Sequence, residues 1–273
     1  MNQLPDPLFL QGTVGRFFVL YFPASGQPKH TLLYFPPFLE EMNRCRSIVA
    51  EQARMLNSAG IAVCIMDYFG TGDSQGELEE ANWDIWLKDT FITLDWLKEK
   101  NNSQITLWGA RMGALLAANV ANEQPDNFKN LLFWQPLTNG KQYMTQLLRL
   151  RLATIMASAD KKITTNDMKK TLADGGSIEI AGQLLGGEFA SQIDSQTLKT
   201  YTNLRNLNIH WMEHTSDTSR PLTPATKKAV DILSESNNVE VSSFTGAPVW
   251  QLNKRDNNPE LLDKTCNLVT SWT

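Results

Sequence analysis

The sequence has few of the residues that build disulfide-stapled, metal-bound or nucleic-acid-bound proteins. Its 273 residues include three cysteines and three histidines, and its formal net charge is -4. Cys45, Cys64 and Cys266 are odd in number and far apart, so they suggest neither a disulfide framework nor a Cys-x-x-Cys metal pair. A negative net charge gives no electrostatic reason to expect nucleic-acid binding. We therefore expect no metal, no cofactor and no nucleic-acid partner.

Long apolar runs are missing as well, and no secretory leader is expected. No apolar run approaches the roughly 18 residues that a membrane span needs. The first residues, Met-Asn-Gln-Leu-Pro-Asp-Pro, have neither the basic nor the apolar region of a secretory signal. These absences predict a cytoplasmic protein without a transmembrane segment. The Leu- and Arg-rich stretch 144–156 leaves membrane-surface contact open, but packing within the fold is favoured because no polybasic run flanks it.

Short apolar runs alternate with amphipathic stretches along most of the chain. Strands are predicted at 16–22, 31–35, 61–66, 105–108, 131–134, 209–213 and 239–244. Helices are predicted at 43–59, 83–98, 112–120, 224–234 and 259–272. Unbroken apolar runs are typical of strands that are buried on both faces of a parallel sheet. The pattern predicts one α/β domain over 1–273 with a mostly parallel, doubly wound sheet.

This alternation stops between residues 137 and 206. No strand is predicted there, and helices are predicted at 144–156, 161–172 and 182–193. The apolar residues of these helices need a surface to cover. We therefore interpret 137–206 as a mostly helical cap that is inserted into the α/β domain.

One strand-to-helix junction organises these elements. It reads Gly109-Ala110-Arg111-Met112-Gly113, between the strand at 105–108 and the helix at 112–120. Two glycines four residues apart permit the tight turn of a nucleophile elbow, where bulky flanking side chains would clash. The central residue of such a turn projects above the sheet beside a helix N-terminus. In a serine hydrolase that residue is Ser, and here it is Arg111.

The order of these pieces resembles the α/β-hydrolase superfamily over almost the whole chain. The loop 67–76, Asp-x-x-Gly-x-Gly-x-Ser-x-Gly, is similar to the Asp-x-x-Gly-x-Gly-x-Ser loop of that superfamily. Segment 213–217, followed by Pro221, is similar to the segment that carries the acid of the catalytic triad. The insertion lies where the superfamily places its cap. The resemblance therefore implies the α/β-hydrolase fold with a helical cap.

Three segments carry a narrower resemblance. They are 35–43 (Phe-Pro-Pro-Phe-Leu-Glu-Glu-Met-Asn), 135–142 (Gln-Pro-Leu-Thr-Asn-Gly-Lys-Gln) and 248–251 (Pro-Val-Trp-Gln). They are similar to the second of the two exosortase-A-system-associated hydrolases, which are bacterial proteins encoded with exosortase, PEP-CTERM sorting and exopolysaccharide genes. The resemblance implies that bacterial setting and a protein partner within it, but it does not supply a reaction.

Two members of the catalytic triad implied by the superfamily are absent. Arg111 cannot be the nucleophile, because its guanidinium stays protonated and offers no lone pair. The base would be a histidine after the last strand, but all three histidines precede that strand. The acid position survives as Asp217, and backbone N–H groups of Met112 and of a residue near Phe38 can still form an oxyanion hole. We do not expect ordinary serine-hydrolase activity.

His210 and His214 lie four residues apart on a predicted strand, so both can point to one face. Two ligands are too few for a metal site, and a polar strand end is the favoured interpretation.

Two classes of function remain open. The first is a non-catalytic or specialised homologue that binds a small acyl or anionic ligand, or a partner protein, under its cap. The second is a hydrolase or acyltransferase that acts on an ester or thioester with a non-standard catalytic site. A buried Arg111 needs a carboxylate partner, and its remaining donors would face the cavity. The candidate partners are Glu40, Glu41 and Asp217. The candidate ligand-binding residues are Arg111, Glu40, Glu41, Gln135, Lys141 and Trp250.

Overall fold

A large sheet with helices on both faces forms the centre of the protein. The computed structural model describes residues 4–158, 163–251 and 257–272. Its strands are β1 (Asp6–Gln11), β2 (Arg16–Phe22), β3 (His30–Phe35), β4 (Ala62–Met66), β5 (Gln104–Ala110), β6 (Asn130–Trp134), β7 (Ser177–Ile180), β8 (Gln183–Gly186), β9 (Asn208–His214) and β10 (Asn238–Phe244). Its α-helices are α1 (Glu40–Ser58), α2 (Trp83–Lys100), α3 (Met112–Glu123), α4 (Gly140–Ser158), α5 (Thr165–Ala173), α6 (Gly187–Ser195), α7 (Pro224–Ser234) and α8 (Pro259–Thr270).

The strand order of the large sheet is β1-β2-β4-β3-β5-β6-β9-β10. From β4 to β10 in this order every pair is parallel, while β1 and β2 extend one edge in antiparallel fashion. The predicted α/β class with a mostly parallel sheet is therefore confirmed. Because β3, β5 and β6 are neighbours, the loops that follow their carboxyl ends meet above the middle of the sheet, where ligand sites of such sheets lie.

Side chains of successive strand residues enter two separate hydrophobic layers. Leu107 of β5 packs in the layer that contains residues of α2 and α3. The next residue, Trp108, packs in the layer that contains residues of α1 and α8. Trp108 is fully buried and meets the ring of Trp134 edge to face, with 4.6 Å between ring centroids. Burial of apolar surface on both faces is the main force that holds the sheet and helices together.

The N-terminal strand β1 was not predicted. The prolines at positions 5 and 7 read as loop residues, because proline cannot donate a backbone hydrogen bond inside a sheet. In the structure β1 lies at the sheet edge, where Pro7 pairs with Leu20. An edge strand has a neighbouring strand on one side only, so at most one backbone hydrogen bond is lost at Pro7. Proline is tolerated at such an edge.

The prediction that 137–206 contains no strand was wrong. Strands β7 and β8 form an antiparallel hairpin, and the predicted helix at 182–193 begins only at Gly187. Each strand has only four residues, which is too short to display alternation. The turn residues Ala181 and Gly182 both have positive φ, of 52° and 81°, as tight hairpin turns require. Because the first turn position is an alanine, the sequence lacks the Asn-Gly or Asp-Gly pair that usually marks such a turn.

The other helices of this insertion follow the prediction more closely. Helix α4 covers the predicted stretch 144–156. Helix α5 begins after a capping box in which Thr164 accepts from the Asp167 N–H, and positions 161 and 162 of the predicted helix lie outside the described residues. Within the described part of the chain, no helix is both long enough and apolar enough to cross a membrane.

Candidate functional site

The junction between β5 and α3 is a sharp turn centred on Arg111. Its φ and ψ are 53° and -120°, a backbone conformation that residues other than glycine rarely adopt. A Cβ atom on Gly109 would lie 2.4 Å from Cα of Ala114, and one on Gly113 would lie 2.1 Å from the Phe35 carbonyl oxygen. Both glycines are therefore required by close backbone contacts, and the turn has the geometry that the sequence predicted for a nucleophile elbow.

Backbone strain is concentrated around this turn. Leu39, Arg111 and Gln135 follow the carboxyl ends of β3, β5 and β6, and all three have positive φ, of 54°, 53° and 43°. Each such non-glycine residue costs of order 1–3 kcal/mol and persists only where its surroundings fix it. The Arg111 N–H donates to the Trp134 carbonyl at 3.0 Å, which ties the turn to the end of β6. Strain of this kind gathers at ligand and catalytic sites.

The Arg111 side chain forms an ion pair with Glu41 in the first turn of α1. Its Nη2 donates to Oε1 of Glu41 at 3.1 Å, and its Nε lies 3.3 Å from both carboxylate oxygens. The side chains of the two residues are 12% and 18% exposed, so the pair is largely shielded from water. Charge-assisted hydrogen bonds are stronger than neutral ones, and shielding strengthens them further.

The other two candidate partners of Arg111 have different contacts. Glu40 pairs with Arg44 at 3.7 Å in a more exposed position. Asp217 is exposed in the loop after β9, where it accepts from the N–H and the hydroxyl of Ser219. These hydrogen bonds lower the pKa of Asp217. Asp217, the acid residue implied by the resemblance, therefore stabilises a surface turn and does not contact the elbow.

The far side of the Arg111 guanidinium meets Gln135 and Trp250. Nη1 donates to the Gln135 carbonyl at 3.4 Å, and Cζ lies 5.1 Å from the centre of the Trp250 ring. Trp250 comes from the segment after β10, where the superfamily places the histidine of its triad. A cation–π contact thus takes the place of the hydrogen bond between nucleophile and base. Of the five guanidinium N–H donors, two have no acceptor among the described residues.

A cavity of about 570 Å³ opens between this group and the insertion. The volume is within the range of about 300–1,000 Å³ that small-molecule sites occupy. Its apolar wall is formed by Phe38, Leu39, Leu147, Leu150, Ile180 and Trp250. The ion pair between Arg151 and Glu179 of the insertion, at 3.2 Å, lies on the same lining. The cavity therefore combines an apolar surface with a shielded cation.

The described residues that line the cavity include no activated nucleophile. No Ser, Cys or His is found among the described residues that line it, and the hydroxyl of Thr154 donates to the Leu150 carbonyl. Cys45 is nearby on α1, but burial raises the pKa of its thiol to about 12, so the reactive thiolate is disfavoured. Among the described residues that line the cavity, no serine or cysteine side chain is therefore available as a nucleophile.

The two backbone positions predicted for an oxyanion hole lie beside the elbow. Met112 is the first residue of α3, so its N–H has no acceptor within the helix. Phe38 lines the cavity and is held by edge-to-face contacts with Trp86 and Phe189, at 5.8 and 5.7 Å between centroids. The role of these two positions as an oxyanion hole stays a prediction.

Lys141, also predicted to bind ligand, is not brought to Arg111. It lines a separate cavity of about 740 Å³ between helices α4, α5 and α6. Sequence reasoning instead missed Tyr143, two residues further on, which lines the cavity of Arg111. Its position in the first turn of α4 is the signal that was available, because that turn comes after the short loop 135–139 at the carboxyl end of β6.

Tyr143 and Glu41 share a buried environment. Burial raises the pKa of Glu41, while the neighbouring Arg111 opposes that rise. Burial also raises the pKa of Tyr143 well above its ordinary value, so its hydroxyl stays protonated. The hydroxyl lies beside the Glu41 carboxylate, but the geometry falls outside that of a regular hydrogen bond.

Among the described contacts no histidine touches the Arg111 side chain, but His214 lies beside two of its neighbours. The His214 ring meets that of Trp250, with 5.7 Å between centroids, and its backbone N–H donates to the side-chain oxygen of Gln135. His210 lies 3.4 Å from Glu240 and packs against the ring of Trp272, and Nε2 of His214 lies 2.8 Å from the Gly246 carbonyl oxygen. Among the described residues, no group of three His, Cys, Asp or Glu side chains could hold a metal ion.

Known proteins resemble this chain in both sequence and structure. Palmitoyl-protein thioesterase ABHD10, mitochondrial, of Rattus norvegicus is 30% identical over 109 residues, which cover 40% of this chain and 35% of that protein. The Bos taurus protein of the same name is 29% identical over 123 residues, 45% of this chain and 38% of that protein. The matched region thus spans little more than a third of the length of these relatives.

Solved structures match over nearly the whole chain, at identities that show the fold alone. Est1E from Butyrivibrio proteoclasticus, solved with ferulic acid, has a TM-score of 0.67 and 14% identity and covers 97% of both chains. Alpha/beta hydrolase domain-containing protein 10 from mouse has a TM-score of 0.64 and 16% identity, over 98% of this chain and 100% of that one.

The family match covers more than half of the sequence. Residues 26–182, from the turn before β3 to the hairpin of the insertion, match the family described as serine aminopeptidase, S33. Together with the sheet order, the elbow and the structural neighbours, this match shows that the chain belongs to the serine aminopeptidase S33 family of α/β-hydrolase-fold proteins.

Proposed function

We propose that this α/β-hydrolase-fold protein is a non-catalytic homologue that binds a small acyl carboxylate beneath its cap, the insertion 137–206. The observation that carries the proposal is the shielded guanidinium of Arg111 at the elbow, with two N–H donors left over, beside a cavity that has an apolar wall and no nucleophile among its described lining residues. An acyl chain would lie along the apolar wall, and its carboxylate would accept from Arg111.

The free N–H donors of Arg111 favour a negatively charged ligand. Arg111 can bridge Glu41 and a second carboxylate, because its planar fork presents donors on more than one side. The N-terminus of α3, directly behind the turn, also favours a negative group. A neutral ester would gain one polar contact but no ionic attraction, so it should bind more weakly than the acid.

An enzymatic function is the second candidate. The backbone positions of the oxyanion hole remain, and part of the chain is similar to a palmitoyl-protein thioesterase, so an ester or thioester is the substrate class to test. Loss of triad members typically costs about 10⁴-fold or more in rate. Turnover that disappears on substitution of Glu41 would favour this candidate over ligand binding.

The biological setting is part of the proposal. The three segments that resemble exosortase-A-system-associated hydrolases, 35–43, 135–142 and 248–251, all contribute residues to the elbow site or its surroundings. We infer a cytoplasmic, bacterial protein of such a system, whose partner would be another protein of exopolysaccharide export or protein sorting. Loss of the partner's function on deletion of this protein would support that placement.

We expect no covalent labelling of the native protein by a fluorophosphonate probe and no measurable hydrolysis of p-nitrophenyl butyrate. The same result is expected for Arg111→Ser, because no histidine is placed to deprotonate the new hydroxyl. The measurement is in-gel fluorescence of the labelled protein, with a known serine hydrolase as positive control. Stoichiometric labelling of the native protein would contradict a non-catalytic role.

Carboxylate ligands are expected to raise the thermal midpoint of the native protein, and decanoate is a suitable probe because its chain is apolar and its head is charged. The shift should disappear in Arg111→Ala and persist in Arg44→Ala, which removes another arginine from the same lining. Decanol is the neutral comparison and should give a smaller shift. Equal decanoate shifts in the native protein and in Arg111→Ala would count against the proposed binding mode.

A further inference from the structure

The cavity beside Arg111 extends along helix α4. Several residues of α4 line it at the spacing i, i+3, i+4, i+7, i+8 and i+11, which places them on one face of the helix. They are Tyr143, Gln146, Leu147, Leu150, Arg151 and Thr154. Tyr143, at one end of this face, lies beside Glu41, the partner of Arg111. The cavity is therefore an elongated groove that has the elbow near one end and Arg151 near the other.

The distance between the two ends matches an acyl chain of moderate length. Tyr143 and Arg151 are eight positions apart, which corresponds to about 12 Å along a helix axis. Both side chains are long and lean toward the helix N-terminus, so their tips keep roughly this separation. An extended chain advances by about 1.2 Å per bond, as the peptide backbone does, so about ten bonds cover the distance. An acyl carboxylate of that length, held by Arg111, would end beside Arg151.

Arg151 forms an ion pair with Glu179 of β7 at this far end. Its Nη2 donates to Oε2 of Glu179 at 3.2 Å, and both residues line the cavity. The two side chains are 22% and 49% exposed, so this end is open to solvent. Among the described residues, Arg151 donates to no other acceptor and Oε1 of Glu179 receives no donor. The pair therefore offers a free donor and a free acceptor to the end of a bound chain.

The charges on the lining disfavour a second carboxylate at the far end. Three arginines and three glutamates are found among the described residues that line the cavity, so their formal charges cancel. One carboxylate beside Arg111 already makes the occupied cavity negative, and Glu179 would repel an anion that approached Arg151. A neutral hydroxyl both donates and accepts, so it can bind to both members of the pair without this repulsion.

We propose, on the basis of the proposed function, that the ligand is an acyl carboxylate of about ten carbons with a hydroxyl group at its far end. Arg111 binds the carboxylate, and the methylene chain lies along Leu147 and Leu150. The hydroxyl accepts from Arg151 and donates to Glu179. These two residues are then specificity-determining, because they distinguish such a ligand from an acyl chain that ends in a methyl group.

The test is calorimetric titration of decanoate and of ω-hydroxydecanoate into the native protein and two variants. The native protein should bind ω-hydroxydecanoate about tenfold more tightly than decanoate, because the hydroxyl gains hydrogen bonds to two charged groups. In the double variant Arg151→Ala with Glu179→Ala the two ligands should bind equally, and the Kd for decanoate should stay at the native value. The control is Arg149→Ala, which should keep the native preference. Arg149 is exposed on the same helix but is not among the residues that line the cavity.

Two further ligands test the length and the charge of the far end. Hexanoate and ω-hydroxyhexanoate are too short to reach across about 12 Å, so the hydroxyl should give no gain in this pair. Decanedioate has the right length but ends in a second carboxylate, so it should bind more weakly than ω-hydroxydecanoate.

The outcomes separate this inference from the function on which it rests. If neither decanoate nor ω-hydroxydecanoate binds the native protein, both proposals fail. If decanoate binds and Arg111→Ala removes the binding, but the hydroxyl gives no gain, only the role of Arg151 and Glu179 is overturned. A gain that persists in the double variant, or that is equally large for ω-hydroxyhexanoate, would overturn it too, because the hydroxyl would then bind elsewhere. Tighter binding of decanedioate would show that the far end takes an anion and would overturn the choice of a hydroxyl.

Discussion

Gly113→Ala is expected to lower the free energy of unfolding by about 3 kcal/mol or more, or to prevent folding altogether. The new Cβ would lie 2.1 Å from the Phe35 carbonyl oxygen and 2.5 Å from that of Pro36. Both are backbone atoms at the end of β3, so neither can move aside as a flexible side chain would. Forcing extra volume into a close-packed contact typically costs about 1–3 kcal/mol, and a backbone clash lies at or beyond the upper end. Urea denaturation measures the change.

Gly186→Ala is the matched control for this substitution. A Cβ there would approach its nearest neighbour, the Glu79 carbonyl oxygen, at 3.2 Å, and the residue has an ordinary φ of -73°. We expect a loss below about 1 kcal/mol, as for surface substitutions in general. A Gly113→Ala protein as stable as Gly186→Ala would show that α3 is not tightly seated on the end of β3.

The frame of the site could be predicted from the sequence because its signals are local. The apolar run of β5, the two glycines and the Ala-rich start of α3 are contiguous, and each constrains the backbone by itself. The β7–β8 hairpin could not be predicted in the same way. Its strands are too short for a period, and its turn has Ala181 where a hairpin turn normally carries Asn or Asp.

The sequence limits the candidate carboxylate partners of Arg111 to a few residues but does not show which of them it contacts. Glu40 and Glu41 are adjacent at the start of α1, and successive helix residues point about 100° apart. The direction of α1 relative to the elbow, a property of the whole fold, decides that Glu41 faces Arg111 and Glu40 faces solvent beside Arg44. Asp217 fits the motif, but its carboxylate accepts from the N–H and hydroxyl of Ser219 in an exposed turn, and Arg111 pairs with Glu41.

The residues that close the site come from distant parts of the chain. Trp250 and Arg111 are 139 positions apart, and no sequence pattern pairs a tryptophan after the last strand with an arginine at the elbow. The contact nevertheless explains how the elbow can carry a cation in an apolar setting. The guanidinium has a carboxylate on one side and an aromatic face on the other, so its charge is not left without compensation.

Glu41→Gln is expected to destabilise the protein by about 2–3 kcal/mol and, at the same time, to tighten the binding of a carboxylate ligand. The substitution keeps the shape of the side chain but leaves the shielded charge of Arg111 without its counter-charge. Removing one partner of a fully buried ion pair costs about 3–5 kcal/mol, and the residual exposure of this pair, 12% and 18%, reduces that cost. The measurements are urea denaturation and decanoate titration.

The tighter binding of a carboxylate ligand follows from the loss of the Glu41 charge. In the native protein Glu41 already neutralises Arg111, and a bound carboxylate must share the cation with it. In Glu41→Gln the ligand becomes the main counter-charge, so the Kd for decanoate should fall by about tenfold or more, while that for decanol stays unchanged. Decanoate should then recover part of the lost stability, because a ligand that binds only the folded state stabilises it.

Glu40→Gln is the control, since it makes the same change at the neighbouring position. Its pair with Arg44 is longer, at 3.7 Å, and half exposed, so a loss below about 1 kcal/mol is expected. The double variant Glu41→Gln with Arg111→Gln should be more stable than Glu41→Gln alone, because no unpaired charge remains in it. If Glu41→Gln instead behaves like Glu40→Gln in both stability and decanoate affinity, Arg111 does not depend on Glu41, and the elbow would not be the anion site.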